Sequence, residues 1–287
     1  MIKSCERAKP YRREGGGRPR EREDENSEFV IFCDYYGGSK MSNLAAKDVA
    51  KMIDHSLLNP AMTEEDIVEG CGVARKYDVA SVCVKPSFLG ATKKALEGSD
   101  VLLTTVIGFP HGSNATEVKV FEAEAALAIG CQELDMVLDV GKLLGGDYGY
   151  VERDIAAVAE VTHKAGAVLK VILENAYLTN ELIVKACEIS ESVGADFVKT
   201  STGYASSGAT VPDLRLMRAS VSAKVRVKAA GGIRTLDAAL AARAAGAVRV
   251  GATSTAKIME EAIAREAAGT LCEPEDTDAG GIANEGY

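Results

Sequence analysis

From Asn43 onward, short apolar runs alternate with longer segments in which apolar side chains recur every three or four residues. The short runs are continuous rather than alternating, as in strands buried on both faces, and the longer segments have the length and period of amphipathic helices. The pattern predicts strands at 52–56, 80–85, 101–108, 133–138, 168–174, 197–200, 225–228 and 248–251. Helices are predicted at 64–77, 86–97, 114–129, 148–165, 179–193, 212–220, 235–245 and 255–268. Thr63 with Asp66, Asn114 with Glu117 and Thr235 before Leu236 and Asp237 read as helix starts, and Gly130, Gly166, Gly194 and Gly246 as the glycines that close helices. Eight βα units in a row predict a parallel sheet, and eight is the number that closes a (β/α)8 barrel. The rival is an open doubly wound sheet, but no G-x-G-x-x-G follows the first strand. The expected class is α/β: a single-domain (β/α)8 TIM barrel over 44–270, with an N-terminal extension at 1–43 and a C-terminal tail at 271–287.

Residues 1–43 break the pattern. The stretch from Arg12 to Glu25 is rich in glycine and in charges of both signs, and nothing in it buries enough surface to offset chain entropy. We therefore expect 1–43 to be a disordered or non-native extension; Phe29 to Cys33 is an apolar island within it, and Met41 opens a stretch that looks like an ordinary enzyme start. The tail at 271–287 is expected to be flexible.

Composition narrows the class. Of 287 residues, 47% are hydrophobic, enough for a large core, while aromatics are only 5% and Trp is absent, so the core is expected to be aliphatic. A net charge of -9 argues against nucleic acid as the main partner but leaves room for a small anion held by local lysines. Seven scattered cysteines without a C-x-x-C pair read as reduced thiols in a cytoplasmic protein. No run approaches the ~18 apolar residues of a membrane span, and no secretory signal is visible. Metal-ligand spacing is absent, so no cofactor or metal is expected.

Barrel chemistry sits at the carboxyl ends of the strands. There, the run from Ala195 to Gly203 delivers Lys199 and then turns into hydroxyls and glycine, and the run from Val225 to Gly232 repeats the layout with Lys228. A lysine that ends a buried strand sits where burial lowers its pKa, a neighbouring ammonium lowers it further, and a neutral amine is a nucleophile. Asp135 alternates with Leu134 and Met136, so it is expected to face the lumen, paired with a cation. Lys170 and Glu174 share a face by period two and are expected to join that network, more as a salt bridge than as direct chemistry, with Lys170 also a candidate for holding the substrate. Asp54 reads as a partner for a lysine or a substrate hydroxyl; neighbouring His55 reads more readily as structural, satisfied by local hydrogen bonds. Cys83 reads as a small buried hydrophobe, and no Cys–His pair stands out, because His111 follows a turn and His163 lies in a helix. Gly203, Gly231, Gly232, Gly251, Thr253 and Ser254 cluster after the last three strands, where backbone N–H groups, hydroxyls and a helix start suit a phosphate. Arg234 stands beside them.

Six segments resemble deoxyribose-phosphate aldolases: Ile53 to Leu58, Val82 to Pro86, Val106 to Gly112, Glu133 to Val137, Asp196 to Gly203 and Val227 to Arg234. The resemblance runs in order over about 45–270. It implies a barrel that cleaves 2-deoxy-D-ribose 5-phosphate reversibly to D-glyceraldehyde 3-phosphate and acetaldehyde. It further implies Lys199 as the Schiff-base lysine, Lys228 as the neighbour that keeps it deprotonated, and Asp135 as acid and base through a water. Asp54 and Cys83 fall near the sugar, and Gly203, Gly232, Thr253 and Ser254 at the phosphate. Ala229 and Ala230 after Lys228, and Thr253 with Ser254, depart from the commonest family residues. One branch of the family ends in a functional tyrosine, as this chain ends in Tyr287, but the tails are otherwise unlike. Barrels of this type commonly dimerise, so a homodimer is the assembly considered. The competing readings are another phosphate-binding barrel lyase or isomerase, and a catalytically silent barrel.

Overall fold

The fold was analysed in a computed structural model. It describes residues 44–274 and 282; the stretch 1–43 and Tyr287 lie outside the described residues. Eight parallel strands close into a barrel in chain order: β1 Ile53–Leu57, β2 Ser81–Val84, β3 Leu102–Ile107, β4 Glu133–Val137, β5 Val168–Ile172, β6 Phe197–Lys199, β7 Arg226–Ala230 and β8 Ala247–Ala252. The outer layer comprises α2 Glu64–Tyr77, α3 Leu89–Ala95, α4 Thr116–Ile129, α6 Tyr148–Lys164, α7 Asn180–Ser192, α8 Val211–Ser220, α9 Leu236–Ala244 and α10 Thr255–Ala267. Two five-residue helices, α1 Ala46–Ala50 and α5 Val140–Leu144, are additions that the hydrophobic pattern did not announce, being too short to show a period. Among the described residues no helix is long and apolar enough to cross a membrane.

Two of the three expected caps form. Thr63 and Asp66 form a reciprocal capping box, and Thr235 accepts from the Ala238 N–H. The expected cap at Asn114 does not form. α4 begins at Thr116 after Ala115, and the Asn114 amide instead donates to Glu122, whose second oxygen accepts from the Gly108 N–H. Asp139, expected in an exposed loop, is half-buried and caps α5 by accepting from the Lys142 N–H.

Packing follows from the strand pattern. Outward side chains such as Val82, Leu134, Met136, Leu169, Val171 and Val198 are fully buried against the helices and form the continuous aliphatic core. Inward side chains are largely polar. In a parallel ladder residues in register share a face, and register puts Asp135 beside Lys170 and Lys199 beside Lys228. A bulge between β7 and β8 leaves Val248 unmatched and brings Arg249 opposite Lys228.

The seam between the first strand and the last helix is closed by His55. Its Nδ1 lies 2.8 Å from Thr255 Oγ1, 200 residues away, so the histidine is structural but not locally satisfied as expected. Burial pulls its pKa down from 6.5 to about 4, against a backbone hydrogen bond to Ala252 that works the other way. The unfolded chain therefore binds a proton that the folded one refuses. This contribution is intact above pH 6.5 and is lost as pH falls toward 4. Chemical denaturation is expected to show a stability loss of up to about 3 kcal/mol across that window, at about 1.4 kcal/mol per pH unit. In His55→Asn the slope should flatten there, leaving the buried carboxylates to act only below pH 4; an unaltered slope would contradict the assignment.

Candidate active site

Alternation brings one side chain from each of several strands into a shared lumen cluster. The last residue of β6, Lys199, places Nζ 2.7 Å from Asp135 Oδ2, and Lys228 Nζ of β7 lies 2.7 Å from the same oxygen. Lys228 also pairs with Asp54 on β1. Below them Lys170 sits 3.0 Å from Asp54 Oδ2, 2.6 Å from Glu133 Oε2 and 3.0 Å from Asp135 Oδ1. Arg249 completes the floor: its Nε is 2.7 Å from Asp54 Oδ1, its Nη1 3.0 Å from Glu133 Oε1, and its Nη2 3.2 Å from Ser81 Oγ. Lys170, Lys228, Asp54 and Asp135 expose at most 1% of their surface, and Lys199 3%.

The cluster thus has four groups able to carry positive charge, Lys170, Lys199, Lys228 and Arg249, and three carboxylates, Asp54, Glu133 and Asp135. Fully protonated amines leave a buried surplus of charge, which is expensive; loss of one proton makes the cluster neutral. Burial acts on every member. At Asp54 and Asp135 it works to raise the pKa, but Lys170 first, and Lys228 with Arg249 or Lys199 after it, overcome it and hold both carboxylates ionised. At Lys170 burial is outweighed by Asp135, Asp54 and Glu133, so that ammonium keeps its proton firmly.

The two upper lysines then part company. Burial lowers Lys228 below an ordinary lysine, with Lys170 and Lys199 adding to the effect against Asp135 and Asp54. At Lys199 burial acts in the same direction, but Asp135 outweighs it and the pKa is raised. In the resting cluster the more readily neutral amine is Lys228, because Lys199 has the carboxylate with less competition from other cations.

Other expected site residues fall as follows. Cys83 faces the lumen beside Leu58, Val106 and Phe109, and burial pushes its thiol up to about 11. Lys170, expected at the substrate, lies entirely beneath the lumen surface, bound to three carboxylates. Glu174 does not join Lys170. Its backbone takes the left-handed conformation (φ 57), which swings the carboxylate to the turn after β6, where it accepts from the Thr202 N–H at 3.1 Å and from the Thr202 hydroxyl. Lys85 turns away to hold the carbonyls of Asn59, Pro60 and Met62.

The glycines of the last three turns answer to backbone conformation and close packing. Gly203, Gly231 and Gly232 have φ of 93, 80 and 82, and a Cβ on Gly231 would stand 2.7 Å from the Gly208 backbone, so the turns after β6 and β7 press main chain against main chain. Gly251 needs no positive φ, but a Cβ there would sit 3.3 Å from Ala230 Cβ. Thr253 is exposed and Ser254 half-buried at the start of α10. Tyr204 roofs the mouth. Its hydroxyl donates to the Leu58 carbonyl at 2.8 Å and its ring meets Phe109 edge-on at 5.7 Å.

Sequence reasoning left out Arg249, Glu133 and Tyr204. Glu133 stands two residues before Asp135, so the alternation that exposed one exposes the other. Arg249 interrupts the apolar run Val248 to Val250 in the same way.

Fold and cluster together define a (β/α)8 barrel whose lumen buries lysines among carboxylates. The model for DeoC/LacD family aldolases matches residues 48–256, and the chain belongs to that family. It is 52% identical over 206 residues to the deoxyribose-phosphate aldolase of Thermococcus gammatolerans, covering 71% of this chain and 92% of the relative. It is 48% identical over 207 residues to that of Rhodopirellula baltica, covering 72% and 86%. A solved relative, the tetrameric deoxyribose phosphate aldolase from Aeropyrum pernix, superposes with a TM-score of 0.72 at 33% identity, covering 76% of this chain and 93% of that one.

Arg249→Met removes the only arginine of the cluster and strands Asp54 and Glu133 with Lys170 alone at the floor. Breaking a buried pair from one side is expected to destabilise by about 3–5 kcal/mol, read as a fall of roughly ten degrees or more in Tm. A Tm within two or three degrees of the parent, about 1 kcal/mol, would show the floor to be dispensable.

Proposed function

We propose that this chain cleaves 2-deoxy-D-ribose 5-phosphate reversibly to D-glyceraldehyde 3-phosphate and acetaldehyde through a Schiff base on Lys199. The observation that carries the reading is the single Asp135 oxygen, 2.7 Å from both Lys199 Nζ and Lys228 Nζ. It provides a path by which the Lys199 proton passes to Lys228, leaving Lys199 with its lone pair and the cluster's charge unchanged.

The lone pair attacks the C1 aldehyde carbon of the open-chain sugar. As the C–N bond forms, the carbonyl π pair moves to oxygen; the nitrogen gives up one proton and the oxygen takes one, passed through Asp135 and water, to give the neutral carbinolamine. The Lys228 ammonium, through Asp135 and a water, supplies the proton with which the hydroxyl leaves as water, and a protonated imine remains. Asp135, relaying through water, then accepts the C3 hydroxyl proton. The C2–C3 bond breaks, its pair forms the C1–C2 double bond of an enamine and neutralises the nitrogen, and C3 becomes the aldehyde of glyceraldehyde 3-phosphate. Protonation at C2 and hydrolysis of the imine release acetaldehyde and restore Lys199.

The remaining residues position this chemistry. Asp54 and Lys170 fix Lys228 and Asp135, and Cys83 lines the pocket that receives the sugar. Gly203, Gly231, Gly232 and Gly251 offer backbone N–H groups to the phosphate, and Thr253 and Ser254 offer hydroxyls at the positive end of α10. The enzyme works as a cytoplasmic homodimer; light scattering separates that state from the tetramer of the Aeropyrum relative.

Borohydride added with acetaldehyde is expected to trap a covalent adduct that peptide mapping places on Lys199, and Lys199→Ala is expected to lose at least about a thousandfold in kcat. Turnover retained in that variant would overturn the mechanism, and loss of activity on adding EDTA would contradict its independence of metal. In Lys228→Leu, Asp135 Oδ2 is left to Lys199 alone, so the Lys199 pKa rises further and trapping should require higher pH than in the parent. An unmoved trapping profile would exclude the shared proton.

A further inference from the structure

We propose that His55 is a positioning residue for phosphate recognition, which fixes both ends of the β8–α10 turn from beneath and so sets the register of the Thr253 and Ser254 hydroxyls. The inference rests on the reading of that turn as the phosphate site. His55 points to the opposite face of β1 from Asp54, away from the lumen chemistry. Its ring Nδ1 is 2.8 Å from Thr255 Oγ1, and His55 stands in register with Ala252 of β8. Ala252 and Thr255 are the buried residues that bracket Thr253 and Ser254, which face outward.

The start of α10 lacks the usual alternative. Thr63, Asp147, Thr179, Thr210 and Thr235 cap α2, α6, α7, α8 and α9 with their own side chains, whereas Ser254 makes no side-chain capping bond to α10. Its hydroxyl is therefore not committed to the helix, and the first turn is held instead through Thr255 by His55. The imidazole stays neutral near pH 7, so it contributes geometry rather than attraction for the anion. A residue acting this way affects substrates that carry a phosphate and has little influence on those that do not.

The test compares His55→Ala, His55→Asn and the parent on 2-deoxyribose 5-phosphate and on unphosphorylated 2-deoxyribose, with calorimetric titration by inorganic phosphate. In His55→Ala, loss of one buried hydrogen bond's worth of ordering is expected to raise KM for the phosphorylated sugar about tenfold and to weaken phosphate binding similarly, while kcat/KM for the unphosphorylated sugar falls less than about threefold. Asn, which can replace the ring nitrogen as a partner of Thr255, should recover most of the KM and guards against a fold defect in the alanine variant. Equal losses on both sugars would reduce His55 to a barrel-seam residue and overturn the proposal, as would no loss on either. If the parent cleaves neither sugar, the aldolase reading fails on its own. Phosphate titration then still decides: weaker binding in His55→Ala supports the positioning role, and equal or absent binding in both proteins overturns it.

Discussion

Everything in the lumen depends on one carboxylate oxygen held between two lysine amines. Asp135 Oδ2 is too close to Lys199 and Lys228 for both contacts to be incidental, and the site is too dry for any of the three to stand alone. A buried cluster with one more cation than carboxylate resolves the excess by giving up a proton. The closed barrel is what makes this arrangement possible. Asp135 must arrive from β4 while its partners arrive from β6, β7 and, below, β5, and only a sheet curled on itself sets those strands facing one lumen.

The cluster also separates fixed charge from mobile charge. Arg249 at the floor cannot release a proton at any ordinary pH, and its planar fork bridges Asp54 and Glu133. Lys170 is surrounded by three carboxylates, which hold its proton as firmly. The upper pair, Lys199 and Lys228, shares a carboxylate oxygen through which a proton can pass. A lysine at position 249 would blur this division, since it would offer a further site for the missing proton, far from the reacting carbon. The floor therefore confines the neutral amine to the place where a carbonyl can reach it.

How much of this could be read from the sequence depends on how local the signal is. The eight strands were legible because burial on both faces writes a continuous apolar run, and each lies within a few residues of its expected place. Lys199, Lys228 and Asp135 were legible for the converse reason: a charge that interrupts such a run must be accommodated inside. The partition of the proton between the two lysines was not legible. It depends on how Asp54, Asp135 and Lys170 are distributed around each amine after closure, which strand positions alone do not give. The partner of His55 was hidden similarly, because Thr255 meets it only when the last strand returns to the first. Asn114 misled because a capping pattern holds only if the helix starts at once, and here Glu122 claims the side chain.

Glu174 shows how the turn beyond the reactive lysine is held before any substrate arrives. A non-glycine residue in the left-handed region is disfavoured by roughly 1–2 kcal/mol, and glycine would remove that strain. Glycine would also remove the carboxylate that accepts from both the N–H and the hydroxyl of Thr202. Hydrogen bonds to a charged acceptor contribute about 1.5–3 kcal/mol each, so two of them outweigh the strain, even though burial raises the Glu174 pKa and weakens the charged form. The result is a turn whose shape is set by the scaffold. Thr202 stands three residues after Lys199 and one before Gly203, so the same carboxylate constrains both the approach to the nucleophile and the first glycine of the proposed phosphate site. Orientation of the substrate at both ends is thereby arranged in advance, in line with catalysis by preorganised groups rather than by groups that must be ordered at each turnover.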